Sequence, residues 1–114
     1  MIQVYGIPNC DSVKKVRVLL DSQDVTYTFH DYKKLGVPEV SLREWVRAKG
    51  WEALLNRKGT TWRGLDDETR QGVKDAETAV AVMLRHPSVI KRPVVTDSTR
   101  LFVGVEEVAA NYVR

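Results

Sequence analysis

A helical pattern between two β-prone segments, near the start of the chain, constrains the fold more than any other feature. Residues 2–5 and 25–29 are rich in β-branched and aromatic residues, and residues 25–29 also alternate in character. Between them, apolar residues at 13, 16, 19 and 20 share one helical face, which predicts a helix over about residues 11–22. A strand–helix–strand unit makes its two strands parallel, with a right-handed crossover. An α/β fold is therefore expected.

The middle of the chain has a helical character. Residues 41–44, Ser-Leu-Arg-Glu, fit a capping box, and Val40 and Trp45 have the spacing of a hydrophobic staple. Gly50 is placed to end this helix. The pattern predicts a helix that begins at about residue 41 and ends at Gly50.

Two further helices are predicted before the last part of the chain. Asp66 and Asp67 can cap a short helix, and Asp75 can cap a longer one whose apolar face includes positions 76, 79, 80 and 83. The longer helix should end by His86, because Pro87 disfavours α geometry in the residue before it.

The last part of the chain predicts a hairpin followed by a helix. Residues 94–96 and 101–103 are β-prone and flank a turn at 97–100, and apolar residues at 105, 108, 109 and 112 form a closing helical face. Together with the opening unit, this predicts a mixed four-stranded sheet with helices on its faces. We expect one domain over residues 1–114: β-α-β at about 1–30, an all-helical insertion at about 38–86, and β-β-α at about 93–114.

Composition narrows the classes of function. The chain has 114 residues, 43% hydrophobic and 29% charged, which is ordinary for a folded domain, and it shows neither a leader pattern nor a long apolar span. We expect a cytoplasmic protein. The net charge of +3 is spread among 15 acidic residues, so neither nucleic acid nor a membrane is expected as partner. His30 and His86 lack the spacing of metal ligands with Cys10, and no metal is expected.

Cys10 is the only cysteine, and it lies just before the first predicted helix. Free amides and the helix dipole at such a position favour a thiolate. The Ser12 hydroxyl and the Lys14 ammonium are expected to help, and Asp11 to oppose them weakly. The pattern predicts a reactive thiol with a lowered pKa. The alternative is that Cys10 is a buried, inert apolar side chain.

Three spaced segments carry a resemblance to a known family: "YGIPNCDSVKKVRVLL" at the start, "LLNRKGTTWRGL" at 54–65, and "MLRHPSVIKRPVV" at 83–95 followed by "TRLFVG". They resemble the glutaredoxin-linked arsenate reductase family, which includes the Spx-type transcriptional regulators, and within it are most similar to the YffB subgroup. The resemblance covers residues 2 to about 110. It implies a thioredoxin-like fold whose helical insertion separates the two halves of the sheet.

The resemblance also implies roles for particular residues. Cys10 matches the catalytic nucleophile, Arg92 an active-site arginine, and Pro93 a cis-proline that faces the cysteine. Arg57 matches a second anion-binding arginine more loosely, since the alignment needs a one-residue slip. The family's third arginine falls at Val103 and is therefore missing. Without the resemblance, both arginines can be solvated surface charges and Pro93 an ordinary trans residue.

The expected site is Cys10 as the catalytic residue, with Arg92, Arg57, Ser12 and Pro93 binding substrate. Val13 stands where a Cys-x-x-Cys pair would have its second thiol, so an external thiol must resolve a mixed disulfide. These features predict a monomeric, glutathione-dependent monothiol reductase, with no bound cofactor and with glutathione, another small thiol or glutaredoxin as partner. The alternatives are a glutaredoxin-coupled arsenate reductase and an Spx-like, non-enzymatic regulator that binds RNA polymerase.

Overall fold

A computed structural model describes residues 2–98 and 100–112 and confirms the predicted order of β-α-β, helices and β-β-α. The elements, in chain order, are β1 (Ile2–Gly6), α1 (Asp11–Ser22), β2 (Tyr27–Asp31), α2 (Tyr32–Leu35), α3 (Glu39–Lys49), α4 (Trp51–Leu54), α5 (Thr60–Arg63), α6 (Asp67–Gln71), α7 (Ala76–Arg85), β3 (Val94–Asp97), β4 (Arg100–Val103) and α8 (Val105–Tyr112). A 3₁₀ turn at Pro87–Val89 follows α7.

The four strands form one mixed sheet in the order β2-β1-β3-β4. Strand β1 runs parallel to β2 and antiparallel to β3, which in turn runs antiparallel to β4. The predicted α/β class and mixed four-stranded sheet are therefore confirmed. This topology brings the ends of β1 and β2 and the start of β3 to the same edge of the sheet.

The chain divides into two compact units, one comprising Met1–Leu35 with Arg92–Arg114, and the other Gly36–Lys91. The first unit contains the sheet. Its core consists of apolar residues from three strands and from α1 and α8: Val4, Val16, Leu20, Val95, Phe102 and Val108. In the second unit, α3 packs against α4 and α7. None of the helices in the described ranges has the length and apolar character needed to cross a membrane.

Gly6 lets the end of β1 approach the start of α1. A methyl group added at Gly6 would lie 2.7 Å from Cγ2 of Val13, which is completely buried in the first turn of the helix. Real carbon atoms do not approach so closely, so a larger residue would push the helix start away from the sheet. The lack of a side chain at Gly6 thus helps to fix the position of Cys10.

The second strand begins later than predicted, at Tyr27 rather than at residue 25. The amide of Val25 donates to the carbonyl of Leu20 (2.9 Å), and Asp24 has a positive φ of 56°. These residues close the end of α1 and so cannot pair with β1. At its other end the strand extends to Asp31, which pairs with Gly6.

The predicted capping box at residues 41–44 is wrong. Helix α3 begins at Glu39 with Pro38 as its N-cap, which places Ser41 inside the first turn, and Val40 is 72% exposed rather than part of a staple with Trp45. Pro38 supplies an extended backbone before the helix, and Glu39 accepts a hydrogen bond from Arg43 one turn later (2.9 Å). Because of these two residues, the helix begins earlier in the chain than predicted. The predicted end at Gly50 is confirmed.

The other predicted helix boundaries are confirmed. The side chains of Asp66 and Asp75 accept from the amides of Thr69 and Thr78, capping α6 and α7, and α7 ends before His86. The hairpin is confirmed as well, with Asp97 and Arg100 paired across the turn. Thr99, in the predicted turn, lies outside the described residues.

We expect Gly6→Ala to lower the free energy of unfolding by about 1–3 kcal/mol, because the added methyl group would overpack against Val13. Urea denaturation measures the change. Gly72→Ala is the matched control: Gly72 has right-handed helical geometry and its new methyl group would lie 3.3 Å from the nearest atom, so it should not show the loss expected of Gly6→Ala, and a change within about 1 kcal/mol is expected. A Gly6→Ala protein as stable as the wild type would contradict the close approach.

Candidate active site

Cys10 is the N-cap residue of α1, at the position predicted from the sequence. Its backbone is extended, with φ −105° and ψ 130°, and its carbonyl accepts from the amide of Lys14 (2.9 Å). Its own amide donates to the carbonyl of Ile7 (3.2 Å), which closes the turn between β1 and α1. The Cys10 side chain is partly exposed. This intermediate burial is compatible with a reactive thiol, and the catalytic role of Cys10 stays a prediction.

Opposing effects act on the acidity of Cys10. Partial burial raises the pKa of the thiol, but hydrogen bonding from Arg92, interactions with the amides of Val13 and Ser12, and the positive charge of Arg92 together outweigh it. The pKa of Cys10 therefore lies below its ordinary value. The site thus favours a nucleophilic sulfur.

Only some of the groups expected to affect the pKa of Cys10 do so. Ser12 contributes through its backbone amide rather than through its hydroxyl. The side chain of Lys14 is exposed and is not among the groups that lower the pKa of the thiol, and Asp11 is not among those that raise it. Arg92, more than 80 residues away in sequence and expected at the site from the resemblance, supplies the positive charge that acts on the sulfur. Local sequence could suggest a cation near the sulfur but not which one.

Arg92 and Pro93 lie immediately before β3. The Arg92–Pro93 peptide bond is cis, as predicted. The carbonyl of Pro93 accepts from the amide of Gly104 (2.8 Å), and the next residue, Val94, pairs with Tyr5 of β1. Strand pairing therefore carries Arg92 to the sheet edge from which the Cys10 turn emerges. Substrate binding by Arg92 and Pro93 stays a prediction.

Tyr32 is a residue at this site that the sequence analysis missed. It follows β2 directly and is 1% exposed. Its burial raises the pKa of the phenol well above the ordinary value, and it interacts with both Arg92 and Cys10. A signal was present, since parallel strands end at one edge of a sheet, and Tyr32 occupies at the end of β2 the place that the Cys10 turn occupies after β1.

Arg57 belongs to the second unit, whereas Cys10, Tyr32 and Arg92 belong to the first. It forms an ion pair with Glu52 (3.6 Å), and its guanidinium lies over the ring of Trp51 at 5.8 Å. It also lines a cavity of about 230 Å³ in that unit, together with Glu52, Leu55, Asn56, Lys58 and Lys91. Three of these six side chains are cationic and one is anionic. The predicted role of Arg57 in binding an anion stays a prediction.

Val103 occupies the place of the missing third arginine. It pairs with Val94, the residue after Pro93, and so lies at the same sheet edge as Arg92. An apolar side chain at this edge leaves the site with less positive charge than the resemblance implies. Among the residues that the structure describes, no group of three His, Cys, Asp or Glu side chains lies close enough to hold a metal ion.

The chain is similar in sequence and in structure to known proteins. The model of the ArsC family matches residues 5–111. A solved structure named YFFB protein is 41% identical, covers 100% of both chains and has a TM-score of 0.91. An arsenate reductase (ArsC) related protein from Brucella melitensis is 42% identical over 98% of this chain and 92% of its own, with a TM-score of 0.75.

Two sequence relatives differ in what is known of them. An uncharacterized protein of Haemophilus influenzae is 36% identical over 94% of this chain and 93% of its own. The global transcriptional regulator Spx of Staphylococcus haemolyticus is 22% identical over 94% of this chain and 82% of its own. The relatives thus include both a protein named for a reductase and a regulator, so the chemistry of the site has to distinguish between these classes.

We expect Arg92→Ala to raise the pKa of Cys10, because it removes both a hydrogen bond and a positive charge from the thiolate. The pH dependence of alkylation by iodoacetamide measures this, and the midpoint should move upward. Lys14→Ala is the control that removes the same charge from a nearby exposed position, and its midpoint should stay at the wild-type value. Equal midpoints in wild type and Arg92→Ala would contradict the assignment of Arg92.

Proposed function

Because the chain belongs to the ArsC family, we propose that it is a thiol–disulfide oxidoreductase that uses Cys10 as its nucleophile and glutathione as its reductant. The observation that carries this proposal is the placement of a partly exposed thiol of lowered pKa at the start of α1, beside Arg92. A thiolate is the species that attacks a disulfide. The site therefore suits thiol exchange.

The reaction needs two exchange steps at Cys10. In the first, the Cys10 thiolate attacks one sulfur of an oxidised substrate, forms a mixed disulfide and releases the other sulfur as a thiolate. In the second, a glutathione thiolate attacks the substrate sulfur of the mixed disulfide and Cys10 leaves as a thiolate. A second glutathione then exchanges with the resulting glutathione–substrate disulfide and forms oxidised glutathione, so two glutathiones supply the two electrons that reduce the substrate. Arg92 and the helix amides favour Cys10 as the leaving group because they stabilise its anion.

The absence of a second thiol requires this external reductant. Cys10 is the only cysteine in the sequence, and Val13 occupies the fourth position of the "CDSV" segment with a completely buried side chain. No internal thiol can resolve the mixed disulfide. Glutathione or another small thiol suits this role, and glutaredoxin is the protein partner in the same proposal. The proposal also includes that the protein is a monomer and acts in the cytoplasm, where these thiols occur.

Each unit, taken by itself, contains positive charge that suits an anion such as a carboxylate of glutathione. Within the first unit, Arg92 can interact with an anion while it stabilises the sulfur. Within the second, Arg57, Lys58 and Lys91 line one cavity and supply positive charge. Substrate binding by these groups, with Ser12 and Pro93, belongs to the same proposal.

Reduction of arsenate is the second candidate, favoured by the 42% identity to an arsenate reductase (ArsC) related protein. The same cysteine would attack the oxyanion. Val103 argues against it, because the resemblance implies an arginine there. An Spx-like regulator is less consistent with the chain, since Val13 removes the Cys-x-x-Cys pair of a redox switch. Both remain as outcomes of the test.

We expect the purified protein to reduce bis(2-hydroxyethyl) disulfide with glutathione, followed through glutathione reductase and NADPH, and Cys10→Ser to abolish this activity. Mass spectrometry of wild type treated with oxidised glutathione should show one glutathione adduct, on Cys10. The Lys14→Ala variant should retain wild-type activity.

Two parallel assays separate the alternatives. Arsenate with glutathione and glutaredoxin tests arsenate reduction, and direct binding to purified RNA polymerase tests the regulator. Turnover of arsenate without turnover of disulfides would replace our proposal with the second candidate. Binding to the polymerase with neither adduct nor turnover would replace it with the regulator.

A further inference from the structure

The topology of the sheet brings three residues from distant parts of the sequence to one edge. Strands β1 and β2 are parallel, with Gly6 paired with Asp31, so both end at this edge. Strand β3 is antiparallel to β1 and begins here, with Val94 paired with Tyr5. Cys10 follows β1 after a short turn, and Tyr32 follows β2 without a gap. Arg92 lies two positions before the start of β3, with Pro93 between them.

Tyr32 stands out at this edge because its polar group lies inside the protein. With 1% exposure it is the largest of the fully buried side chains in the described residues. A buried phenol needs a hydrogen-bond partner, and here the partner is Arg92. A guanidinium has five donors and no acceptor, so the direction is fixed: Arg92 donates and the Oη of Tyr32 accepts.

The phenol stays neutral over the range in which Cys10 titrates. Burial raises the pKa of Tyr32 above its ordinary value, the charge of Arg92 partly opposes this, and the negative charge of Cys10 adds to it. Tyr32 therefore brings an oxygen acceptor to Arg92 without bringing a negative charge that would compete with the thiolate. An aspartate at this place would bind the guanidinium more strongly but would neutralise it.

We propose that Tyr32 is a positioning residue that holds the guanidinium of Arg92 beside the sulfur of Cys10. An arginine side chain loses rotamer freedom when it stabilises an anion. A buried oxygen that accepts a hydrogen bond from the guanidinium restricts the side chain beforehand, so less freedom is lost when the thiolate forms. Tyr32 acts on Cys10 through Arg92 and touches no substrate. This inference deepens the proposed function, since it rests on Cys10 being the reactive group.

The test is a double-mutant cycle read out by the pH midpoint of Cys10 alkylation with iodoacetamide. Tyr32→Phe keeps the ring and removes only the hydroxyl. Alone, it should move the midpoint upward, by less than Arg92→Ala does. In an Arg92→Ala background it should move the midpoint no further, because the residue through which it acts is gone.

Tyr112→Phe is the matched control. The hydroxyl of Tyr112 donates to Asp97 (2.7 Å) in the same unit, and its loss should leave the midpoint of Cys10 at the wild-type value. A residue that only fills the core would give no shift with Tyr32→Phe, or the same shift with and without Arg92. Either result would overturn the proposal.

A second measurement on the wild type does not depend on the folding of Tyr32→Phe. Side-chain ¹⁵N relaxation should show the Arg92 guanidinium to be as ordered as the backbone around it, whereas fast rotation would overturn the proposal. Neither readout uses glutathione. Coupling without disulfide turnover would therefore reject only the proposed function, and turnover without coupling would reject only the role of Tyr32.

Discussion

The contact between the Arg92 guanidinium and the Cys10 sulfur is the interaction on which the chemistry of this protein depends. Partial burial alone would make the thiol less acidic, and a neutral thiol is a poor nucleophile. Arg92 reverses that effect together with the first amides of α1. The same groups that stabilise the attacking anion also stabilise it when it leaves, so one arrangement serves both exchange steps of the proposed reaction.

The sheet creates this contact between residues that are far apart in sequence. Parallel pairing of β1 with β2 and antiparallel pairing of β1 with β3 bring two strand ends and one strand start to a single edge. Gly6 allows α1 to begin close to that edge. The hydrogen bond from the amide of Gly104 to the carbonyl of Pro93 fixes the backbone just before β3. Backbone pairing thus brings Cys10 and Arg92 close enough for their side chains to interact. In our proposal, Tyr32 then holds the Arg92 guanidinium in place.

Sequence patterns predicted the fold better than the details of the site. The order of elements follows from apolar periodicity and from caps such as Asp75, which act locally and can be read in a single sequence. The start of α3 was predicted wrongly because the local sequence allows an N-terminus at Pro38 as well as at Ser41. Tyr32 was missed, and Lys14 was expected to act on Cys10 besides Arg92, because the contacts around the sulfur are made by strand pairing between distant parts of the sequence.

The most direct test of the central claim is the pH dependence of the free energy of unfolding of wild type compared with Cys10→Ser, under reducing conditions. If the folded protein favours the thiolate, the folded pKa of Cys10 lies below that of the unfolded chain, about 8.5. Wild type should then gain stability relative to Cys10→Ser as the pH rises from below the folded pKa to about 8.5, and the difference should level off above it. A difference that is flat, or that shrinks over this window, would contradict the account.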